Sequence, residues 1–429
     1  MHDVIVIGGG VAGLAAAGAL GCAGCRVLLL EARGRLGGRI FTARPKGWGG
    51  AVELGAEFVH SGNRELWQRL KRYRIATRLV PPRHWLWRQG RIEPVDLERE
   101  IAEVTEGIQP RKMRGWSFAR FLRGRSLGAE ERALAVGFVE GFQAAPQQRM
   151  SAVALAGETL DDSDQFLVPG GYDRLIAGLA RELSAYEVTV RTGAAVTRVE
   201  WQKGRVQVRA GGRDYEARAV VATLPLGVWQ AACPRRGAVR FEPELRAKRR
   251  IAARMGVGQV VRITLRCDAR RWRSLLPREL AASARGGVGF VHSQLPGVPV
   301  WWSLTNAPVI TGWAGGPAAE ALAHCTDRVL LEKALTSLAK ILGVSKIGLR
   351  AAVLDWQTHH WGRDPFSRGA YSFTVAGQDD AAGKLREPVQ GTLFFAGEAT
   401  ADGEEVGTVH GALGSGLRAA EEVRTALGI

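Results

Sequence analysis

A chain of 429 residues is long enough for two packed domains, and its 46% apolar and 24% charged fractions are those of an ordinary soluble globular protein. No apolar run reaches the roughly 18 residues of a membrane span, and five cysteines form neither a disulfide framework nor a zinc pattern. The formal charge of +17 is carried by nine lysines and fifty arginines spread along the chain, without a basic helix, zinc finger or RNA-binding signature, so it reads as a solvated surface rather than a nucleic-acid site. Such a field repels polycations, and a highly charged polyamine would need a local acidic mouth.

The opening residues His2 to Ile7 read as a short buried strand. Gly8-Gly9-Gly10-Val11-Ala12-Gly13 follows in G-x-G-x-x-G spacing, then an Ala-rich helix from Leu14 to Leu20, then a strand Arg26 to Leu30 ending at Glu31. This order is the dinucleotide-binding βαβ unit. Gly8 makes the tight turn, Gly10 lets backbone approach a pyrophosphate, and Gly13 lets helix pack on strand. The helix N-terminus offers N–H groups to phosphates, and Glu31 can accept from ribose hydroxyls. Because strand residues begin at the N-terminus, no signal peptide is expected. Cys22 and Cys25 have C-x-x-C spacing but fall in the link between helix and strand, where a structural reading outweighs a redox one.

Glu31 runs directly into Ala32-Arg33-Gly34-Arg35-Leu36-Gly37-Gly38-Arg39, a pair of glycines between arginines suited to a backbone folded against an anion. Val52 to His60 follows a Gly-rich turn. From about Asn63 to Asp162 the character changes: a hairpin with a Gln89-Gly90 turn, then helical patterns over Leu97 to Ile108, Phe118 to Leu122 and Glu130 to Phe142. Val139 to Ala145 reads as core, with a pocket wall as the alternative. Phe166 to Tyr172 leads into a helix, Leu175 to Leu183, and alternating strands follow around Val188 to Val196, Arg205 to Ala210 and Val220 to Val228. Gln259 to Leu265 opens a second excursion with strands Val288 to Ser293 and Val300 to Leu304 and a helix near Asp327 to Leu342. The C-terminal part carries Trp361 to Ser372, a buried strand Phe394 to Gly397 followed by Glu398, and Gly407-Thr408-Val409-His410-Gly411 opening a last helix.

Taken together, Gly8 to Arg39, Glu53 to His60, Trp361 to Tyr371 and Leu393 to Leu413 resemble the flavin-containing amine oxidase family of monoamine oxidases, polyamine oxidases and flavin-dependent histone demethylases. The resemblance implies an α/β fold: a discontinuous Rossmann-like FAD-binding domain (1–65, 163–255 and 363–429) with an inserted α+β substrate domain (66–162 and 256–362). It implies non-covalent FAD, since Ala370 stands where covalent members carry cysteine. It carries a cofactor role over to Gly8, Gly10, Val11, Ala12, Gly13, Glu31, Ala32, Arg33, Gly38, Arg39, Gly55, Ala56, Glu57, Phe58, Val196, Trp361, Gly397, Glu398, Thr408 and Val409. Arg33 and Arg39 would lie beside the pyrophosphate, and Glu398 would accept from ribityl or pyrophosphate.

The implied activity is oxidation of a primary or secondary small-molecule amine by hydride transfer to flavin N5, giving imine or aldehyde, and hydrogen peroxide where oxygen is the acceptor. Tyr371 and Thr408 match the walls of the family's amine cage, with His60, Arg262 and Trp361 around the substrate. Arg262 stands where the family usually carries a lysine that holds a water near flavin N5. Arginine is a bulkier, permanently charged fork, which keeps open the alternative of a dehydrogenase or desaturase with a non-oxygen acceptor. A flavoprotein acting as a binding subunit is the remaining reading. The expected location is cytoplasmic.

Overall fold

The computed structural model describes residues 1–156, 164–282 and 286–429. His2–Ile7 lies inside an eight-stranded sheet, parallel to Val27–Leu30 on one side and to Arg213–Ala222 on the other. Val188–Arg191 extends the sheet beyond Val27–Leu30. The ten-residue strand Arg213–Ala222 is shared: its first half pairs antiparallel with Arg205–Ala210, and its last residues pair in parallel with Leu393–Phe395. The C-terminal segment is thereby brought beside the N-terminal one.

The sequence of the first strand explains its place. Alternate side chains point to opposite faces, and both faces are covered, so a near-continuous apolar run is required. Val4 and Val6 enter the core made with helices Val11–Cys22, Asp173–Leu183 and Val409–Leu427. Ile5 and Ile7 enter the opposite core with Val199, Trp229 and Phe395. Helices Val11–Cys22 and Val409–Leu427 touch at Gly416, where an added Cβ would sit 2.2 Å from the Ala12 carbonyl oxygen.

A second, seven-stranded sheet runs in the order Val353–His359, Val260–Cys267, Val309–Gly315, Val300–Ser303, Gly289–His292, His84–Arg88, Arg91–Pro94. The Gln89-Gly90 turn has positive φ at both residues, +45° and +89°, as a two-residue hairpin with this twist requires. This hairpin joins the two inserted segments into one sheet. Ile263, Leu265, Trp301 and Ile310 point to a core closed by Asp327–Leu342. The residues between them in each strand, Arg262, Thr264, Trp302 and Trp313, point to the opposite face.

The domain boundary expected between residues 65 and 66 falls inside the helix Arg64–Arg72, whose Leu66 and Leu70 belong to the core of the first sheet. The apolar spacing of a short amphipathic helix does not say which core receives it. The boundary expected at 162/163 lies outside the described residues. Among the described residues no helix is long and apolar enough to cross a membrane.

Candidate active site

A cleft runs along the ends of the first sheet and reaches the second. At one end Gly8 has φ +109°, and a Cβ on Gly13 would lie 1.9 Å from the Gly8 carbonyl oxygen, so turn and helix can meet only with glycine at both. Gly10, the N-cap of Val11–Cys22, brings no side chain to the cap. Gly38 approaches it so closely that a Cβ there would lie 3.3 Å from the Gly10 Cα. The first N–H groups of the helix have no partner within it, and Gly10, Val11 and Ala12 line the cleft beside Gly38.

Glu31 is 3% exposed and lines the same end. Its Oε2 accepts from Gly9 N at 2.7 Å and its Oε1 from Arg33 N at 2.8 Å. A carboxylate has about four acceptor sites, so capacity for two further donors remains. Ala32, Ala195, Val196 and Phe366 complete this end. Arg33 lines the cleft, but its guanidinium is fixed by Asp364 at 2.7 Å and Ser367 at 3.0 Å rather than left free for a phosphate. Burial works against ionisation of Asp364, yet the His359 ring 3.4 Å away and the hydrogen bond and charge of Arg33 outweigh it and hold the carboxyl well below the usual range.

Midway, Arg39 donates to Glu398 at 2.7 Å and to the Ala370 carbonyl at 2.6 Å. The other oxygen of Glu398 accepts from the backbone and hydroxyl of Ser372. Three of its roughly four acceptor sites are therefore taken by the protein, and Glu398 aims Arg39 and ties the Ser372 segment to Gly397. The two partners lie 26 and 359 residues from Glu398 in the chain, beyond any local pattern.

The far end is formed by Gly55, Ala56, Trp361, Tyr371, Thr408 and Val409 from the first unit and by Val260, Arg262 and Trp313 from the second sheet. Trp361 is 4% exposed and donates to the Leu54 carbonyl at 2.7 Å. Tyr371 donates to the Phe142 carbonyl at 2.5 Å, and Trp313 to Gly141 at 2.9 Å, so both rings hang from the last carbonyls of helix Ala129–Phe142. Thr408 is the N-cap of Val409–Leu427: its hydroxyl donates to the Glu405 carbonyl at 2.7 Å and accepts from Gly411 N at 2.9 Å. Its hydroxyl is thus spent on the cap.

Arg262 is 4% exposed, with Nη2 3.0 Å from Glu57 Oε2 and Nη1 3.4 Å from the Gly55 carbonyl. Its Nε–H has no acceptor among the described residues. Trp302 lies beside it, with the guanidinium carbon 5.6 Å from the ring centroid.

Four expected site residues do not line the cleft: Gly13, Glu57, Phe58 and His60. Gly13 is a packing glycine. Glu57 is the partner of Arg262. In the strand Phe58–His60, Val59 is fully buried, which turns Phe58 toward Phe290 and Trp302 and sets His60 5.9 Å from the ring of His410. Burial, with His410 beside it, pushes the His60 imidazole down to about 4. Trp313 was not expected. The signal was its position opposite Arg262 in the sheet, which needs a register that sequence does not supply.

Behind this end sits Glu53, which accepts from Tyr172 N at 2.8 Å and Thr42 Oγ1 at 2.7 Å. Burial pushes its carboxyl up to about 7, against those hydrogen bonds, and neighbouring Glu57 adds to the rise. The unfolded chain releases this proton near the ordinary glutamate value, about 4.3. Folding therefore takes up a proton between the two values, and stability falls as pH rises through that window. Glu53→Gln should flatten this slope: unfolding from pH 4.5 to 8 should show the wild type losing about 3 kcal/mol relative to the variant. Parallel profiles would contradict the assignment.

The sequence matches the family described as flavin containing amine oxidoreductase over residues 11–133 and 117–424. It is 30% identical over 461 residues to polyamine oxidase 3 of Oryza sativa subsp. japonica, covering 98% of this chain and 89% of that protein. It is 29% identical to lysine-specific histone demethylase 1 homolog 2 of Arabidopsis thaliana, covering 98% of this chain and 58% of that protein. Among solved structures, a putrescine oxidase bound to putrescine superposes with a TM-score of 0.80 at 21% identity, covering 99% of both chains. Cyclohexylamine oxidase from Brevibacterium oxydans superposes equally well, at 0.80 with 20% identity and full coverage of both.

Proposed function

This chain belongs to the family of flavin-containing amine oxidoreductases, FAD-dependent enzymes, and from that premise we propose that it oxidises a primary or secondary small-molecule amine at the Tyr371 end of the cleft. The observation that carries the reading is that one continuous cleft joins the Gly8–Gly13 turn and Glu31 to an apolar, aromatic chamber. FAD, when bound, would supply the acceptor for the hydride leaving the carbon beside the amine nitrogen.

The residues fit such a group. Gly10 and Gly38 leave room against a helix N-terminus, where phosphates are held by free N–H groups. Glu31 retains acceptor capacity for ribose hydroxyls, Val196 lines the adenine side, and Arg39 is held in the middle by Glu398. The N-terminus of Val409–Leu427 places its positive dipole end at the chamber. Among the described residues lining the cleft there is no cysteine or histidine, which supports non-covalent attachment.

The chamber would serve the amine by excluding water. Only a neutral amine has the lone pair the reaction needs, and an apolar surround favours the uncharged form. Tyr371 and Trp361 are held in fixed orientations by carbonyls, so little side-chain entropy remains to be lost when substrate enters.

Anaerobic mixing with a panel of amines should bleach the flavin band, and admitting air then separates acceptors. Rapid recovery supports an oxidase. Bleaching without recovery supports a second reading, a dehydrogenase with another acceptor, which Arg262 favours because a fixed guanidinium paired to Glu57 replaces the small, mobile ammonium. Arg262→Lys should then recover faster than wild type. Absence of bleaching by any amine would reject both.

A further inference from the structure

We propose that Arg236 is a positioning residue for the adenosine half of FAD: acting through Phe366, it fixes that ring as a wall of the Glu31 end of the cleft and so sets how tightly the cofactor is kept. The inference rests on the cofactor cleft described above and is independent of which amine is oxidised.

Arg236 lies in the loop between helix Leu226–Trp229 and strand Arg240–Glu242. Phe366 lies far along the chain, in the segment that leads to Tyr371. The fold presses the two backbones together. Gly237 has φ +86°, and a Cβ there would lie 2.1 Å from the Pro365 carbonyl oxygen and 3.3 Å from the Phe366 ring, so this contact requires glycine. Arg368, itself at φ +56°, donates to the Arg236 carbonyl at 2.6 Å. Ala238 and Val239 are buried just beyond. Gly237, Val239 and Phe366 line the cleft together with Ala32 and Val196. The loop is therefore part of the cofactor wall, although its sequence carries no cofactor motif.

The Phe366 ring is held from both segments. Phe366 N donates to Asp364 Oδ1 at 2.9 Å, and the Arg33 guanidinium, bound by the same carboxylate, lies 5.5 Å from the ring centroid. The guanidinium of Arg236 lies 5.6 Å from that centroid. The half-buried ring thus carries two guanidiniums, one largely enclosed and one exposed. Each is drawn to the negative face of the π-system, and a planar guanidinium also packs well against a ring.

Two effects on the cofactor follow. A ring that is already fixed costs less ordering when adenosine enters against it. Asp364 offsets the charge of Arg33 at 2.7 Å, whereas Arg236 adds positive charge at the end of the cleft where the diphosphate is expected, which favours an anion. Removing Arg236 takes away the exposed half of this support, while Arg33, anchored by its own turn, stays.

The first readout is the rate of FAD release from the holoenzyme, followed as flavin fluorescence appears after dilution. Arg236→Ala should release FAD roughly two- to fivefold faster than wild type, the range of an exposed cation–π contact. Arg236→Glu, which also reverses the charge, should release it at least about tenfold faster. Arg236→Lys keeps the cation and should stay within about twofold of wild type. The second readout separates positioning from general loosening: ADP and FMN are each titrated into the flavin-stripped full-length chain. For Arg236→Ala the Kd for ADP should rise by the same factor as the release rate, while the Kd for FMN stays at the wild-type value. An Arg236→Ala protein that releases FAD at the wild-type rate, or that loses ADP and FMN affinity alike, would overturn the inference while leaving FAD binding standing. A wild-type chain that takes up no FAD would remove the cofactor reading, and the inference with it.

Discussion

Arg262→Met should destabilise the protein by about 3 kcal/mol or more, and Arg262→Met combined with Glu57→Gln should recover most of that loss. The reasoning is electrostatic. Arg262 and Glu57 face one another at 3.0 Å with side chains 5% and 15% exposed. Removing one member of a buried pair leaves the other charge without compensation, at a cost of about 3–5 kcal/mol, whereas replacing both with neutral groups is often close to neutral. The double-mutant cycle isolates this coupling, read as the thermal midpoint of the holoprotein. The same cycle separates structure from function. The double variant should regain stability but keep an altered rate of flavin recovery in air, since the guanidinium that faces the chamber is gone. Full recovery of both properties would reduce Arg262 to a packing role.

The second large effect comes from two glycines three residues apart. Gly13→Ala should abolish the folded holoprotein, because its Cβ would lie 1.9 Å from the Gly8 carbonyl oxygen, a backbone atom that cannot step aside. Overpacking of well-packed interiors costs about 1–3 kcal/mol where side chains can shift, and here a strand and a helix would have to part. Gly10→Ala should behave differently. Its Cβ would meet nothing closer than the Gly38 Cα at 3.9 Å, so the apoprotein should fold within about 0.5 kcal/mol of wild type. The methyl would stand in the space left against the helix N-terminus, and FAD affinity should drop at least about tenfold, or about 1.4 kcal/mol. Flavin titration and thermal unfolding of both variants check this. A Gly10→Ala protein that binds FAD as wild type does would show that the cofactor does not approach there.

The same contrast marks what could be read from sequence. The Gly8–Gly13 turn and Glu31 are legible because spacing alone creates them: glycine positions, a helix start and a strand end lie within one short stretch. Trp361 and Tyr371 were reachable through motif resemblance. The roles of Arg33 and Glu398 were not, because their partners are 331 and 359 residues away and only the fold brings them together. His60 was expected beside the substrate and does not line the cleft; in the strand Phe58–His60 it shares a face with Phe58 and its ring packs against His410 of the last helix, a contact no local pattern announces. Trp313 was invisible because it depends on cross-strand register with Arg262. The helix Arg64–Arg72 shows the same limit at the scale of domains, since an amphipathic stripe states that a face is buried but not against what.

The central claim is that one cleft, assembled from the two ends of the chain and its inserted sheet, holds a single FAD without a covalent bond. Flavin-stripped protein titrated with FAD, followed by fluorescence quenching and then acid release, measures this directly. The account predicts saturation at one FAD per chain and recovery of unmodified FAD in the supernatant. A protein that takes up no flavin, or that keeps it through acid precipitation, would contradict it.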